Sequence, residues 1–175
     1  MLSSCVGRAH FPSLAPGPMN ILDILSPNAV KVPLVSVDKK SVIDELVDVL
    51  ADAELIFDAD ALKHIVWERE QQRSTGIGQG LAIPHGKADC AESLVMAIGC
   101  PASPIDFDSV DKQPVRLIVL LASPPDKTSQ HIQALGKISR LLSDASFRDA
   151  ATTAESAEAL YALFEEAERA TPAEP

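Results

Sequence analysis

Residues 38–53 read DKKSVIDELVDVLADA, and their spacing organises the chain on either side. Val42, Ile43, Leu46, Val49, Leu50 and Ala53 recur at steps of three and four, while Lys39, Lys40, Asp44, Glu45 and Asp48 fall elsewhere. That period predicts an amphipathic helix with one stripe against a core. Asp38 stands before it as an N-cap whose carboxylate can accept an otherwise unpaired backbone N–H. Upstream, the β-branched run at 30–37 predicts a strand. Before that, Ile21, Leu22, Ile24 and Leu25 predict a short helix ended by Pro27. Downstream, a second helix is expected from Asp58 or Asp60 to Glu70, with Leu62, Ile65 and Val66 on its buried side. Arg69 follows Ile65 by four residues, so it ends the same face and points toward the next loop.

The second half continues the alternation. Strand-like runs at 94–100 and 115–122 are separated by a hairpin or loop around 105–113, and Pro124 and Pro125 end the second run. Asp126 or Thr128 then caps a helix carrying Ile132, Leu135, Ile138, Leu141 and Leu142, with His131 in its early turns. Shorter helices are expected at 146–151 and 155–168, the latter burying Leu160, Tyr161 and Phe164. Alternating elements of this kind predict an α/β fold with helices on both faces of a sheet. The chain shows no internal repeat.

Bulk composition excludes more than it identifies. The 175 residues suit one domain, and the 46% apolar and 4% aromatic content predicts a core of Leu, Ile, Val and Ala. The formal net charge of -10 leaves no basic stripe for nucleic acid and disfavours passive docking on anionic lipid. No apolar run is long enough to span a bilayer, so membrane insertion is not expected. Cys5, Cys90 and Cys100 are an odd count without CxxC spacing, which suggests no disulfide framework and a reducing, cytoplasmic setting. Residues 1–18 carry Gly7, Pro12, Pro16, Gly17 and Pro18 and no apolar period. Leu2-Ser3-Ser4-Cys5 has the outline of a lipoprotein cleavage box, but no basic segment or apolar stretch precedes it. Residues 1–18 therefore read as a disordered leader or an upstream-start artefact, 19–170 as the domain, and 171–175 as a disordered tail.

Chemistry-bearing residues concentrate between Arg69 and Gly86. A phosphate-binding P-loop fails on count, because five residues separate Gly80 from Gly86 and Ala88 follows Lys87. The dinucleotide fingerprint fails too, since His85 stands where a helix-opening glycine is needed. His64, His85 and His131 show neither HxH nor HxxxH spacing, so no metal is expected. There is no GxSxG elbow and no motif around any cysteine. What remains is His85 as a nucleophile, since a neutral imidazole exists at cellular pH and attacks phosphorus well. Pro84 and Gly86 would hold it on a short rigid turn. On residues alone, a surface or satisfied core histidine is the reading that prevails over it. On the same basis Arg69 reads as a helix-terminal cation and His131 as a capping or surface histidine. Ser74 and Thr75 read as ordinary turn chemistry.

Arg69-Glu70 followed by STGIGQGLAIPHGK at 74–87 resembles the active-site signature of fructose/mannitol-type EIIA proteins of the bacterial phosphotransferase system. Within that family the standalone nitrogen-type EIIA branch is most similar. Ile24-Leu25-Ser26-Pro27, Pro104-Ile105-Asp106-Phe107, Asp111-x-Gln113-Pro114-Val115 and His131-x-x-x-Leu135 follow in the family's order, so the resemblance covers about residues 19–167. Gln79 departs from the Asn common in the nitrogen-type branch.

The resemblance implies a central mixed β-sheet flanked by helices on both faces. It implies that His85 accepts a phosphoryl group, with His131 and Arg69 as its active-site companions, and that no cofactor is needed. Ser74, Thr75 and Gly76 are candidates for a phosphate-contacting loop. The implied partners are an HPr-type phosphocarrier as donor, and either regulatory target proteins or an EIIB as outlet. Regulation, sugar uptake through a separate EIIB, and a binding module without transfer are the three uses to be told apart.

Overall fold

The computed structural model of the protein describes residues 18–171, and the expected leader and tail lie outside these apart from Pro18 and Thr171. A single 3-10 turn, Ile21–Asp23, opens the chain, with Asn20 Oδ1 accepting the Leu22 N–H at 2.8 Å. The short helix expected here is only that turn. Strand β1, Leu25–Leu34, already begins before Pro27. Among the described residues it is an edge strand, paired only with β5 (Val95–Pro101), so the missing N–H of Pro27 and Pro33 is tolerated. The strand also ends earlier than the β-branched run predicts. The Val35 and Ser36 amides donate to the Glu45 carboxylate at 3.0 and 2.9 Å, which turns the chain away from the sheet. Val35 and Val37 are consequently exposed.

Helix α1, Lys39–Asp52, has the expected Asp38 cap, whose Oδ1 accepts the Ser41 N–H at 2.9 Å. Helix α2, Ala59–Gln72, is capped by Asp58 in the same way. The Gly-rich segment then forms three very short strands: β2, Gly76–Gly78, β3, Leu81–Ala82, and β4, His85–Lys87. Strand β6, Leu117–Ser123, leads through a 3-10 turn, Pro125–Lys127, into α3, Thr128–Ser143. No side chain caps α3: the Thr128 hydroxyl donates to the Pro125 carbonyl instead, and neither expected cap is used. Helices α4, Ala145–Thr152, and α5, Ala157–Ala170, follow.

The sheet order is β1-β5-β6-β3-β2, with β4 also paired to β6. β1 runs parallel to β5, β5 antiparallel to β6, and both β3 and β4 parallel to β6. The sheet is thus mixed. Its period of two divides the core cleanly. Ile118, Leu120 and Ala122 face a layer with Ile43, Leu46, Leu50, Leu62 and Val66 of α1 and α2. Leu117, Val119 and Leu121 face Ile138, Leu142, Leu160 and Phe164 of α3 and α5. Helices cover both faces, as the alternation of elements predicts. On α3 the expected stripe is displaced: Ile132 is exposed, and His131 and Ala134 lie inside with Ile138 and Leu142. Tyr161 on α5 is only half-buried.

Strands β3 and β4 behave as one strand broken at Ile83-Pro84. β3 pairs with Leu117 and Ile118, and β4 with Leu121, Ala122 and Ser123 further along the same partner. At the break the Ile83 N–H donates to the Thr75 carbonyl at 3.0 Å, and the Pro84 carbonyl accepts the Leu121 N–H at 3.1 Å. Gly86 follows because α2 lies directly on β4. A Cβ there would sit 3.0 Å from Ile65 Cγ2 and 3.1 Å from Val66 Cγ2.

Candidate functional site

His85 opens β4 immediately after the strand break, so it sits on a paired strand rather than on the turn expected from Pro84 and Gly86. Its ring is half-buried, and Nδ1 lies 2.8 Å from the Ile83 carbonyl oxygen. A carbonyl can only accept, so Nδ1 carries the proton and Nε2 carries the free lone pair. Burial first, then the Arg69 and Lys87 charges, push the imidazole pKa below its ordinary value; the Ile83 carbonyl and Glu70 act the other way without prevailing. The ring is neutral near pH 7, with one nitrogen ready to attack an electrophile.

His131, one turn into α3, is brought beside it. The two ring centroids are 5.6 Å apart with planes inclined by 57°. His131 is 4% exposed, and its Nδ1 lies 2.7 Å from the Ser123 hydroxyl at the end of β6. Burial, then the charges of His85 and Lys87, hold its pKa down to about 4. Lys87 extends from β4 to donate to Thr128 Oγ1 at 3.3 Å at the start of α3. Arg69, in the last turn of α2, donates from Nη1 to the Arg73 carbonyl at 3.0 Å. It therefore serves as a helix-terminal cation while its charge still reaches His85. Two neutral imidazoles, His85 and His131, are thus brought together, with the Arg69 charge within electrostatic reach of His85.

Ser74, Thr75 and Gly76 are near but engaged. Glu70 is 3% exposed, and each of its oxygens accepts the Thr75 N–H at 3.1 Å. The Thr75 hydroxyl donates to the same carboxylate, and Lys39 Nζ completes it at 2.6 Å. The Ser74 hydroxyl donates to the Phe107 carbonyl, and the Gly76 N–H donates to Ser74 Oγ at 3.1 Å. These groups brace the β2–β3 hairpin against α1 and α2, so their polar atoms are spent inside the fold.

Sequence reasoning assigned no role to Glu70, Lys39, Lys87 or Ser123. Two of these carried a readable signal. Leu62, Val66 and Glu70 are spaced by four, which puts a carboxylate on a buried helical stripe. Leu117, Val119, Leu121 and Ser123 alternate, which puts a hydroxyl at the end of a buried row. Lys39 and Lys87 are ordinary lysines in sequence and gain meaning only from the tertiary fold. Among the described residues no group of three or more potential ligands is placed to hold a metal. No helix among them is long and apolar enough to cross a membrane.

Residues 23–167 match the family described as phosphoenolpyruvate-dependent sugar phosphotransferase system, EIIA 2. The chain belongs to that family. The fructose-specific EIIABC component of Bacillus subtilis is 35% identical over 146 residues, covering 83% of this chain and 23% of that much longer protein. A nitrogen regulatory protein of Pseudomonas aeruginosa is 34% identical over 140 residues, covering 80% of this chain and 91% of its own length. The crystal structure of nitrogen regulatory protein IIA-Ntr from Neisseria meningitidis superposes with a TM-score of 0.74 at 30% identity, covering 81% of this EIIA chain and 97% of that one. The mixed sheet with helices on both faces is thus the EIIA type-2 fold.

Proposed function

We propose that this EIIA protein is a phosphocarrier of the nitrogen-type phosphotransferase system, which takes a phosphoryl group on Nε2 of His85 and regulates partner proteins through it. The observation that carries the reading is the Nδ1–H bond to Ile83, which leaves Nε2 unprotonated beside His131 and within electrostatic reach of Arg69. The donor is an HPr-type protein phosphorylated on histidine. The Nε2 lone pair forms a bond to phosphorus as the donor's P–N bond breaks, and that electron pair returns to the donor imidazole. The Nδ1 proton stays on His85, held by the Ile83 carbonyl. A loose transition state spreads charge over the phosphoryl oxygens, so positioning and neutralisation are the protein's task. Arg69 supplies a fixed cation, and His131 a hydrogen-bond donor. No cofactor is required by this chemistry, and the setting is cytoplasmic.

The near full-length match to stand-alone nitrogen regulatory proteins supports the regulatory branch. Phosphorylation adds nearly two negative charges at the His85 surface, and a partner face suited to neutral histidine is then rejected. Sugar uptake through a separate EIIB is the second reading, favoured by the identity to the fructose-specific component. The test is transfer from phosphoenolpyruvate through purified EI and HPr-type protein to wild type and His85→Ala. An acid-labile, base-stable label on wild type alone supports a phosphohistidine carrier. Absence of label with cognate carriers points instead to a binding module. Onward transfer to an EIIB cysteine separates the two outlets.

A further inference from the structure

Ser123 is the last residue of β6, with no surface exposed to solvent. Its carbonyl accepts the Ala88 N–H at 3.0 Å, which pins the backbone beside β4. Among the described residues its hydroxyl has one hydrogen-bond partner, Nδ1 of His131 at 2.7 Å. Two arrangements fit that distance. If His131 donated from Nδ1, the serine proton would have no acceptor among the described residues, at a position with no solvent-exposed surface. If the serine donates, both groups are satisfied. Nδ1 of His131 then accepts, and the ring's one proton resides on Nε2.

Resting on the reading of His85 as the phosphoryl acceptor, we propose that Ser123 is a positioning residue. Its buried hydroxyl locks His131 in the Nε2–H tautomer, which turns that ring from an acceptor into a donor at the site. The two histidines are thereby set in opposite senses by their local partners. The Ile83 carbonyl accepts the Nδ1–H of His85 and leaves Nε2 free as nucleophile, while Ser123 donates to Nδ1 of His131 and leaves its Nε2–H for phosphoryl oxygen. With both rings in the same tautomer, the histidine pair would offer either no imidazole donor or no nucleophile. The hydroxyl does not touch the transferred group and acts only through the imidazole.

The test is long-range proton–nitrogen NMR of histidine-labelled full chain near pH 7, in wild type and Ser123→Ala, followed by phosphoryl transfer from an HPr-type donor. Wild-type His131 is expected to show the Nε2–H pattern and Ser123→Ala a shift toward Nδ1–H. Transfer is expected to slow between about two- and tenfold, the worth of one hydrogen bond. An Nδ1–H signal in wild type overturns the inference even if the variant does not fold. An undisturbed Nε2–H signal in Ser123→Ala, or a changed tautomer with unchanged transfer, also overturns it. Absence of any label on wild-type His85 refutes the phosphocarrier reading instead, and the NMR result is independent of that outcome.

Discussion

Replacing Glu70 by Gln removes the charge at the centre of the buried network while preserving its volume. The wild-type carboxylate, 3% exposed, accepts the Thr75 N–H, the Thr75 hydroxyl and Lys39 Nζ. An amide has one acceptor oxygen, so at least one donor then meets the new NH2 group. Losing a charge-assisted hydrogen bond costs about 1.5 to 3 kcal/mol, and stripping a buried charge of its partner about 3 to 5 kcal/mol. Lys39 limits the second effect, because its side chain is 21% exposed. It also keeps the Phe107 carbonyl at 3.0 Å and lies 5.5 Å from the centre of that ring. The expected loss is therefore about 3 kcal/mol, where the two ranges meet.

For a chain of this length that loss lowers Tm by about 6 to 12 °C. Urea unfolding of Glu70→Gln, Lys39→Met and the double variant should give a coupling of about 1 to 2 kcal/mol. Amide exchange at Thr75 should accelerate, because its N–H loses a charged acceptor. A Glu70→Gln loss under about 1 kcal/mol together with additive single variants would refute the reasoning, and the hairpin would then be held by packing alone.

Gly86→Ala should destabilise by about 1 to 3 kcal/mol in urea unfolding, because its Cβ would meet Ile65 and Val66 of α2 at 3.0 and 3.1 Å. His131 should make stability pH-dependent. Burial, then His85 and Lys87, lower its folded pKa from 6.5 to about 4, so between those values the unfolded chain binds a proton that the folded chain refuses. Stability should fall as pH drops from about 6.5 toward 4, and His131→Gln should flatten that slope in urea midpoints measured at pH 7 and 5.

Elements with sustained period were legible in the sequence. Helix α1, its Asp38 cap and the paired runs of β5 and β6 each extend over enough residues for spacing to speak. β2, β3 and β4 do not, since strands of two or three residues complete no alternation and Gly-rich composition reads as loop. The start of β1 was hidden because Pro27 is a helix stop in sequence but a tolerated edge residue in space. Its end was hidden because the Val35 and Ser36 amides are claimed by Glu45 from the following helix. At the site, residue identity and resemblance pointed to His85, Arg69 and His131. The engagement of Ser74 and Thr75 needed the fold, because a hydroxyl's partner is decided by what packs opposite it.

The strand break explains why His85 can be both rigid and available. A continuous β3–β4 strand would commit its backbone along β6 and place His85 by sheet register alone. Breaking it at Ile83-Pro84 frees the Ile83 carbonyl, and that carbonyl fixes the His85 tautomer. Pairing resumes at once with Leu121, so the backbone gains no slack. Gly86 then admits α2 to van der Waals contact, which brings the C-terminal turn carrying Arg69 to the same end of the sheet. The buried Glu70 beside it ties that turn to Thr75, whose carbonyl accepts the Ile83 N–H. Backbone break, tautomer and cation are therefore mechanically one unit. Loosening any member is expected to disturb the other two before it unfolds the sheet.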